Sequence, residues 1–295
     1  MNRPYAHIIR RLNCVAVVLL LITHSFLVTA QKATAMEQQK TSGYAPVNGI
    51  SMYYEIHGKG DMPLVLIHGG GSTIQSSFGT LLPLLSKDNK IIALELQAHG
   101  RTSDRDAPES FAQDADDVAT LLKYLKVNKA NILGFSNGAS TTLKIAIRHP
   151  EMVNKIVVIS GAYRRDGFIP GFFDGFAHAT LANMPAPLQA DFLAVTPDRN
   201  KLQVMFEKDV QRMETFKDWP DEELEGIKAP ALFMSSDKDV VIPAHTVQMS
   251  RLVPGAQLAI LPGTHGFLIG EVGSGTEGSK LAEVAATLVE SFLKE

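Results

Sequence analysis

Asn48-Gly49 separates Tyr44–Val47 from the alternating stretch Ile50–His57, and a two-residue Asn-Gly break between such runs predicts a tight hairpin. Leu64-Val65-Leu66-Ile67 is a continuous apolar run bounded by Pro63 and by the glycines after His68, as expected of a strand covered on both faces. A helix is expected around Ser77 to Leu85, and Lys90–Leu96 repeats the buried-strand pattern. Beyond a loop rich in Gly, Asp and Pro, Ser110-x-x-Gln113 reads as a capping box, with Phe111, Ala115, Val118, Leu122 and Leu125 at helical spacing behind it. Strand Asn131–Phe135, helix Asn137–Arg148 stopped at Pro150, and strand Lys155–Ser160 follow. This alternation is that of an α/β protein, a mostly parallel sheet with helices on both faces.

The rhythm breaks between Tyr163 and Lys228. That stretch is rich in Phe and Pro, carries one expected helix with Leu202, Met205, Phe206, Met213 and Phe216, and contains no apolar run like the preceding strands. It reads as a helical insertion, residues 163–228, in a core formed by residues 43–162 and 229–295. The core resumes with strand Ala231–Ser235, a helix from Pro243, strand Gln257–Leu261 and a last helix near Ser279–Leu293. No internal repeat is apparent.

The first residues follow a different logic. Arg3, Arg10 and Arg11 precede the apolar stretch Leu12 to Val28, which ends in Val28-Thr29-Ala30, the charge, hydrophobe and small-residue order of an export signal. Thr23, His24 and Ser25 interrupt it, so its longest unbroken apolar piece, Val15 to Ile22, falls short of the roughly 20 residues that span a bilayer. Residues 1–30 are therefore expected to be a signal peptide cleaved after Ala30, with Ala33-Thr34-Ala35 as a second small-residue site. The polar residues 31–42 are expected to form a flexible leader. The expected location is periplasmic or secreted, with no stable membrane anchor after cleavage; the alternative is an uncleaved N-terminal anchor.

Composition narrows the chemistry. The chain has 295 residues with 28 Lys+Arg against 31 Asp+Glu, a formal charge of −3 and one cysteine. One thiol excludes a disulfide scaffold, a cysteine-ligated zinc module and an Fe–S protein. With no basic field to neutralise phosphates, nucleic acid is not an expected partner. Removing residues 1–30 takes Cys14 and three arginines and no acids, which leaves 25 basic against 31 acidic residues, a formal charge of −6 and no thiol.

Gly134-Phe135-Ser136-Asn137-Gly138 matches G-x-S-x-G between an expected strand and an expected helix, where a sharp turn holds a serine oxygen clear of the sheet. Serine needs a base, and the base needs a third group to hold its ring. Of the seven histidines after residue 30, His265 lies directly after the last expected strand, at the sheet edge where open α/β folds do their chemistry. His149 and His245 are expected in surface or capping roles, and His68 and His99 as loop-shaping residues. The acid belongs on the loop after Ala231–Ser235. Asp239 is preferred because Pro243 then starts the next helix four residues on, while Asp237 stays a rival and Asp166 a distant third. His68-Gly69-Gly70-Gly71-Ser72 allows backbone N–H groups to approach a ligand, so Gly70 and Asn137 are the expected oxyanion donors.

From about Ile50 onward the chain resembles the lid-bearing proteins of the α/β-hydrolase fold family, on HGGGS at 68–72, LQAHGRTSD at 96–104, LGFSNG at 133–138, SDKDVVIP at 236–243 and PGTHGF at 262–267. The resemblance implies Ser136 as nucleophile, Asp239 as acid, His265 as base, Gly70 with Asn137 as oxyanion hole, and the insertion as a lid over the pocket. Glu95 and Ala98 depart from the family's D-x-x-G-H-G loop, and Ser236 stands where Gly is frequent. The expected function is an exported serine hydrolase of a carboxylic ester or lactone, acting on a small molecule with an apolar portion. Phe172, Phe173, Phe176 and Trp219 are expected to line its pocket. Other enzyme readings on such a site are an amidase or peptidase, a C–C hydrolase and a cofactor-free perhydrolase; the non-enzyme reading is a hydrolase-like binding protein. No cofactor and no metal are expected. Gly273-x-Gly275-x-x-Gly278 spells a dinucleotide fingerprint, yet no strand leads into it and no βαβ unit contains it.

Overall fold

The computed structural model describes residues 40–276 and 278–295. The expected signal peptide and residues 31–39 of the expected leader lie outside the described residues. The leader was expected to run to residue 42, but Thr41 and Ser42 already belong to strand β1 (Thr41–Val47), paired with Ile56 and Glu55 of β2 (Ile50–His57). Both are exposed, so the edge strand starts on backbone pairing that no apolar side chain announces. Asn48 and Gly49 turn the hairpin with positive φ angles of 42° and 88°.

The remaining strands are β3 (Leu64–Ile67), β4 (Ile91–Leu94), β5 (Ala130–Phe135), β6 (Val153–Ile159), β7 (Ala231–Lys238) and β8 (Gln257–Thr264). The helices are α1 (Ile74–Phe78), α2 (Leu81–Leu85), α3 (Phe111–Tyr124), α4 (Asn137–Arg148), α5 (Ala186–Val195), α6 (Arg199–Glu214), α7 (Asp221–Glu225), α8 (Pro243–Leu252) and α9 (Leu281–Lys294). The strands form one eight-stranded sheet in the order β1-β2-β4-β3-β5-β6-β7-β8. The β1–β2 and β2–β4 pairs are antiparallel, and every later pair is parallel. β3, β4 and β5 are buried along their full length, as strands between two helical layers must be. Val65, Ile67, Ile132 and Val158 pack on one face with α3 and α4, while Leu64, Leu66, Leu133 and Val157 pack on the other with α2 and α9.

Three local expectations change. The helix expected near Ser77–Leu85 is two short helices broken at Gly79-Thr80, the first capped by the Thr73 hydroxyl. The capping box at Ser110 is half made. Ser110 accepts from the Gln113 N–H, but the Gln113 side chain turns to Asp117. The insertion holds three α-helices rather than one, because Pro197-Asp198 ends α5, the Asp198 carboxylate caps α6, and a short α7 follows Pro220. α6 also stops at Glu214, before Phe216.

The connection order reverses around β3 and β5, neighbours in the middle of the sheet whose chains continue to opposite sides. The loops leaving their C-terminal ends therefore face one crevice. The loops after β7 and β8 open at the same edge, and the insertion between β6 and β7 supplies the other wall of the cavity there.

Candidate active site

Ser136 sits between β5 and α4 with φ 54° and ψ −121°, a conformation that side-chain-bearing residues seldom adopt. The strain is held from both sides. Its N–H donates to Ile159 O at 2.9 Å, and its carbonyl accepts from Ala139 and Ser140 at the start of α4. The turn is possible because of two glycines: a Cβ on Gly134 would lie 2.0 Å from Gly138 O, and one on Gly138 would lie 2.1 Å from Ile67 O. The strand and the helix converge so closely that neither tolerates a side chain.

His265, beyond β8, reaches Ser136 Oγ with Nε2 at 3.0 Å and Asp239 Oδ1 with Nδ1 at 2.6 Å. These partners assign the tautomer, with Nδ1–H donating to the carboxylate and Nε2 accepting from the serine hydroxyl. Asp239 is buried, and its Oδ2 accepts from Ser160 Oγ at 2.5 Å. Burial alone raises the Asp239 pKa, but the hydrogen bond and charge of His265, with Ser160 and the Val241 N–H, hold it below the usual carboxylate value. Burial lowers the His265 pKa, and the Asp239 hydrogen bond and charge, with the charge of Glu271, outweigh it and leave the pKa raised. Asp237 does other work: it accepts from the Gly263 N–H at 2.8 Å and braces the segment leading into His265. Asp166 is exposed and pairs with Arg164.

Gly70 and Asn137 line the same cavity as Ser136. Neither amide N–H donates to an acceptor among the described residues, and Asn137, as the first residue of α4, has no intrahelical one. His68 is fully buried. Its Nδ1–H donates to Gly69 O at 2.7 Å and its Nε2 accepts from the Leu96 N–H at 3.0 Å. Burial and the neighbouring His99 push its pKa down to about 3, so it shapes the loop as a neutral ring.

Asp209, on insertion helix α6, was not singled out in the sequence. Its Oδ2 accepts from the Gly71 N–H at 2.6 Å and lies 3.0 Å from His99 Nε2, while Oδ1 is 3.5 Å from Asn137 Nδ2. One carboxylate thus touches both segments that carry the expected oxyanion donors. Burial lowers the His99 pKa, but the charge and hydrogen bond of Asp209, with Glu109, raise it to about 9. His99 is therefore a cation and not merely a loop-shaping ring. One turn further on, buried Arg212 binds Asp114 and Glu109, each at 2.7 Å, and fastens α6 to the core.

The cavity over Ser136 has a volume of about 420 Å³. Phe172 and Phe176 line it as expected, whereas Phe173 and Trp219 do not. Phe173 is turned outward onto Phe216, its ring stacked at 7° and covered by the Arg165 guanidinium. Trp219 packs edge-on to Phe111 and lies under the Lys144 ammonium. Phe168 and Phe216 take their places in the lining. The insertion's aromatic density was legible, but aromatic content does not fix which rings face inward. His245, expected on the surface, is buried and stacked on Tyr163 at 4.9 Å. Of the departures from the family pattern, Ala98 holds φ 62° where glycine is usual, and buried Glu95 accepts from the Arg101 N–H and guanidinium. No group of three or more His, Cys, Asp or Glu side chains among the described residues is placed to hold a metal ion.

The family sequence model described as alpha/beta hydrolase fold matches residues 62–225. The human serine hydrolase BPHL is 30% identical over 271 residues, spanning 86% of this chain and 89% of that protein. A putative carbamate hydrolase RutD from Azorhizobium caulinodans is 27% identical over 244 residues, 76% of this chain and 91% of its own length. Among solved structures, a meta-cleavage product hydrolase from Pseudomonas fluorescens IP01 superposes with a TM-score of 0.69 at 21% identity, covering 86% of this chain and 97% of that one.

Proposed function

This chain belongs to the α/β-hydrolase fold family and is a hydrolase of that fold, and we propose that it is an exported serine hydrolase cleaving a carboxylic ester or lactone through an acyl-enzyme. The observation that carries the reading is the unbroken line Ser136 Oγ, His265, Asp239, with contacts of 3.0 and 2.6 Å. As the Ser136 oxygen attacks the ester carbonyl carbon, its proton passes to His265 Nε2. Asp239 holds the tautomer and stabilises the imidazolium. The carbonyl oxygen becomes an oxyanion that accepts from the N–H groups of Gly70 and Asn137. On collapse the alkoxide leaves with the proton from His265, and water repeats the sequence to free Ser136 and the acid. In a lactone the leaving alkoxide stays tethered to the acyl group.

Support for a small substrate with an apolar portion comes from the cavity, whose lining is dominated by Phe, Met, Leu, Val and Ala side chains. Support for export is the order of arginines, hydrophobes and small residues over positions 1–30. A panel of acyl esters of graded chain length, with lactones and aryl amides alongside, tests the bond type. Ester or lactone turnover that Ser136→Ala abolishes is expected, and amide turnover without ester turnover would refute it. Recovery of the protein outside the cytoplasm with Gln31 at its N-terminus is the expected outcome for export.

A further inference from the structure

The cavity over Ser136 carries an unbalanced charge pattern. Apart from His265, its one ionisable lining residue among the described residues is Asp209, and no Lys or Arg lines it. The partners of Asp209 do not cancel its field from the substrate's side. His99, which pairs with it, is 1% exposed at the side chain and lies behind it, outside the lining, whereas the Asp209 side chain is 14% exposed. The pair is a dipole with its negative end toward the cavity. Arg212, the nearest further cation on α6, is turned away into Glu109 and Asp114 and is 2% exposed.

On the serine-hydrolase reading above, we propose that Asp209 is a specificity-determining residue that restricts the site to uncharged acyl chains and rejects substrates carrying a carboxylate. An anionic acyl chain entering this cavity gives up its water, finds no guanidinium or ammonium to replace it, and meets a like charge. An uncharged chain of the same length loses no charge hydration and packs on the Phe, Met, Leu and Val side chains of the insertion. The placement of Asp209 gives the rejection its reach. A carboxylate bonded to the Gly71 N–H stands beside the expected oxyanion donors, so an acyl chain whose carbonyl sits at those donors starts next to it.

Two esters that differ only at the chain end test this: 4-nitrophenyl hexanoate and the mono-4-nitrophenyl ester of adipic acid. The wild-type kcat/KM is expected to favour the hexanoate by about 100-fold or more, and Asp209→Asn to narrow that ratio to about tenfold or less. The ratio is the informative quantity, because a purely structural loss lowers both esters together. A wild-type ratio near one, or a large ratio that Asp209→Asn leaves unchanged, overturns the proposal. Binding to wild-type enzyme supplies a readout independent of turnover and of how the variant folds. 4-Phenylbutyramide is expected to bind at least about tenfold more tightly than 4-phenylbutyrate, and equal affinities overturn the proposal. If neither ester is hydrolysed but the amide still binds in preference to the acid, the hydrolase reading fails and the charge preference of the cavity stands.

Discussion

Ser160 donates its hydroxyl to Asp239 Oδ2 at 2.5 Å, which leaves Oδ1 to His265. Ser160 directly follows β6 with φ 56°, one strand from Ser136, which has nearly the same φ. Two neighbouring strands thus deliver the residues that directly follow them into one hydrogen-bonded line. Ser160→Ala leaves a buried carboxylate oxygen unpaired, and kcat/KM is expected to fall about tenfold with the fold intact. Unchanged kcat/KM in a folded variant would show that Ser160 is dispensable for holding Asp239.

The base must be neutral to accept the serine proton, so activity rises with pH through the His265 pKa. Burial lowers that pKa, but the Asp239 bond and charge together with Glu271 leave it above 6.5. The acid limb of kcat/KM is accordingly expected to have its midpoint above pH 6.5. Glu271 accepts from the Ser72 and Ser77 hydroxyls, and Gln at that position keeps an acceptor while removing the charge. Glu271→Gln is expected to move the limb toward lower pH; movement in the opposite direction contradicts the assignment.

The His99–Asp209 pair ties α6 to the loop after β4 and makes stability depend on pH. His99 has its pKa raised from 6.5 to about 9, so its contribution is complete below pH 6.5 and lost as pH rises through about 9. Asp209 has its pKa lowered from 3.8 to about 2, so its contribution is present above pH 3.8 and lost as pH falls through about 2. Asp209→Ala strands a buried cation, and urea unfolding should register a loss of about 3–5 kcal/mol. The difference from wild type should be largest between pH 3.8 and 6.5 and shrink toward pH 9. A difference independent of pH would count against the ion pair.

Gly134 tests the packing of the turn. Alanine there places Cβ 2.0 Å from a backbone carbonyl that belongs to α4, where no side-chain rotation gives relief. Gly134→Ala is expected to lose about 3 kcal/mol or more, or to yield no soluble protein. Gly175 has nothing within 4 Å of an added Cβ, and Gly175→Ala should leave stability within about 0.5 kcal/mol of wild type. Equal thermal midpoints for both variants would refute the close-approach argument.

Much of this was legible in residue order. Buried strands read as runs such as Leu64–Ile67, and Ser136, Asp239 and His265 each follow such a run, so position along the chain translated directly into position on one sheet edge. Choosing Asp239 over Asp237 rested on loop length. β7 runs on to Lys238, which carries Asp237 into the strand and leaves Asp239 at its exit. Asp209 was overlooked although a signal existed. Leu202, Met205, Met213 and Phe216 mark an apolar stripe at helical spacing, and Asp209 interrupts it at the position where a further hydrophobe belongs. A charge inside an apolar stripe needs a buried partner, but the partner, His99, lies 110 residues away and could not be named from periodicity. Phe173 and Trp219 failed for a related reason, since aromatic content locates a pocket wall without fixing which rings face in.

The central claim, that Ser136 is a nucleophile activated by His265 and Asp239, is tested most directly by reacting the folded protein with a fluorophosphonate and mapping the adduct by mass spectrometry. One phosphonyl group on Ser136 is expected, with labelling abolished in Ser136→Ala and strongly slowed in His265→Ala. An unlabelled Ser136 in folded protein, or labelling that His265→Ala leaves equally fast, would contradict it.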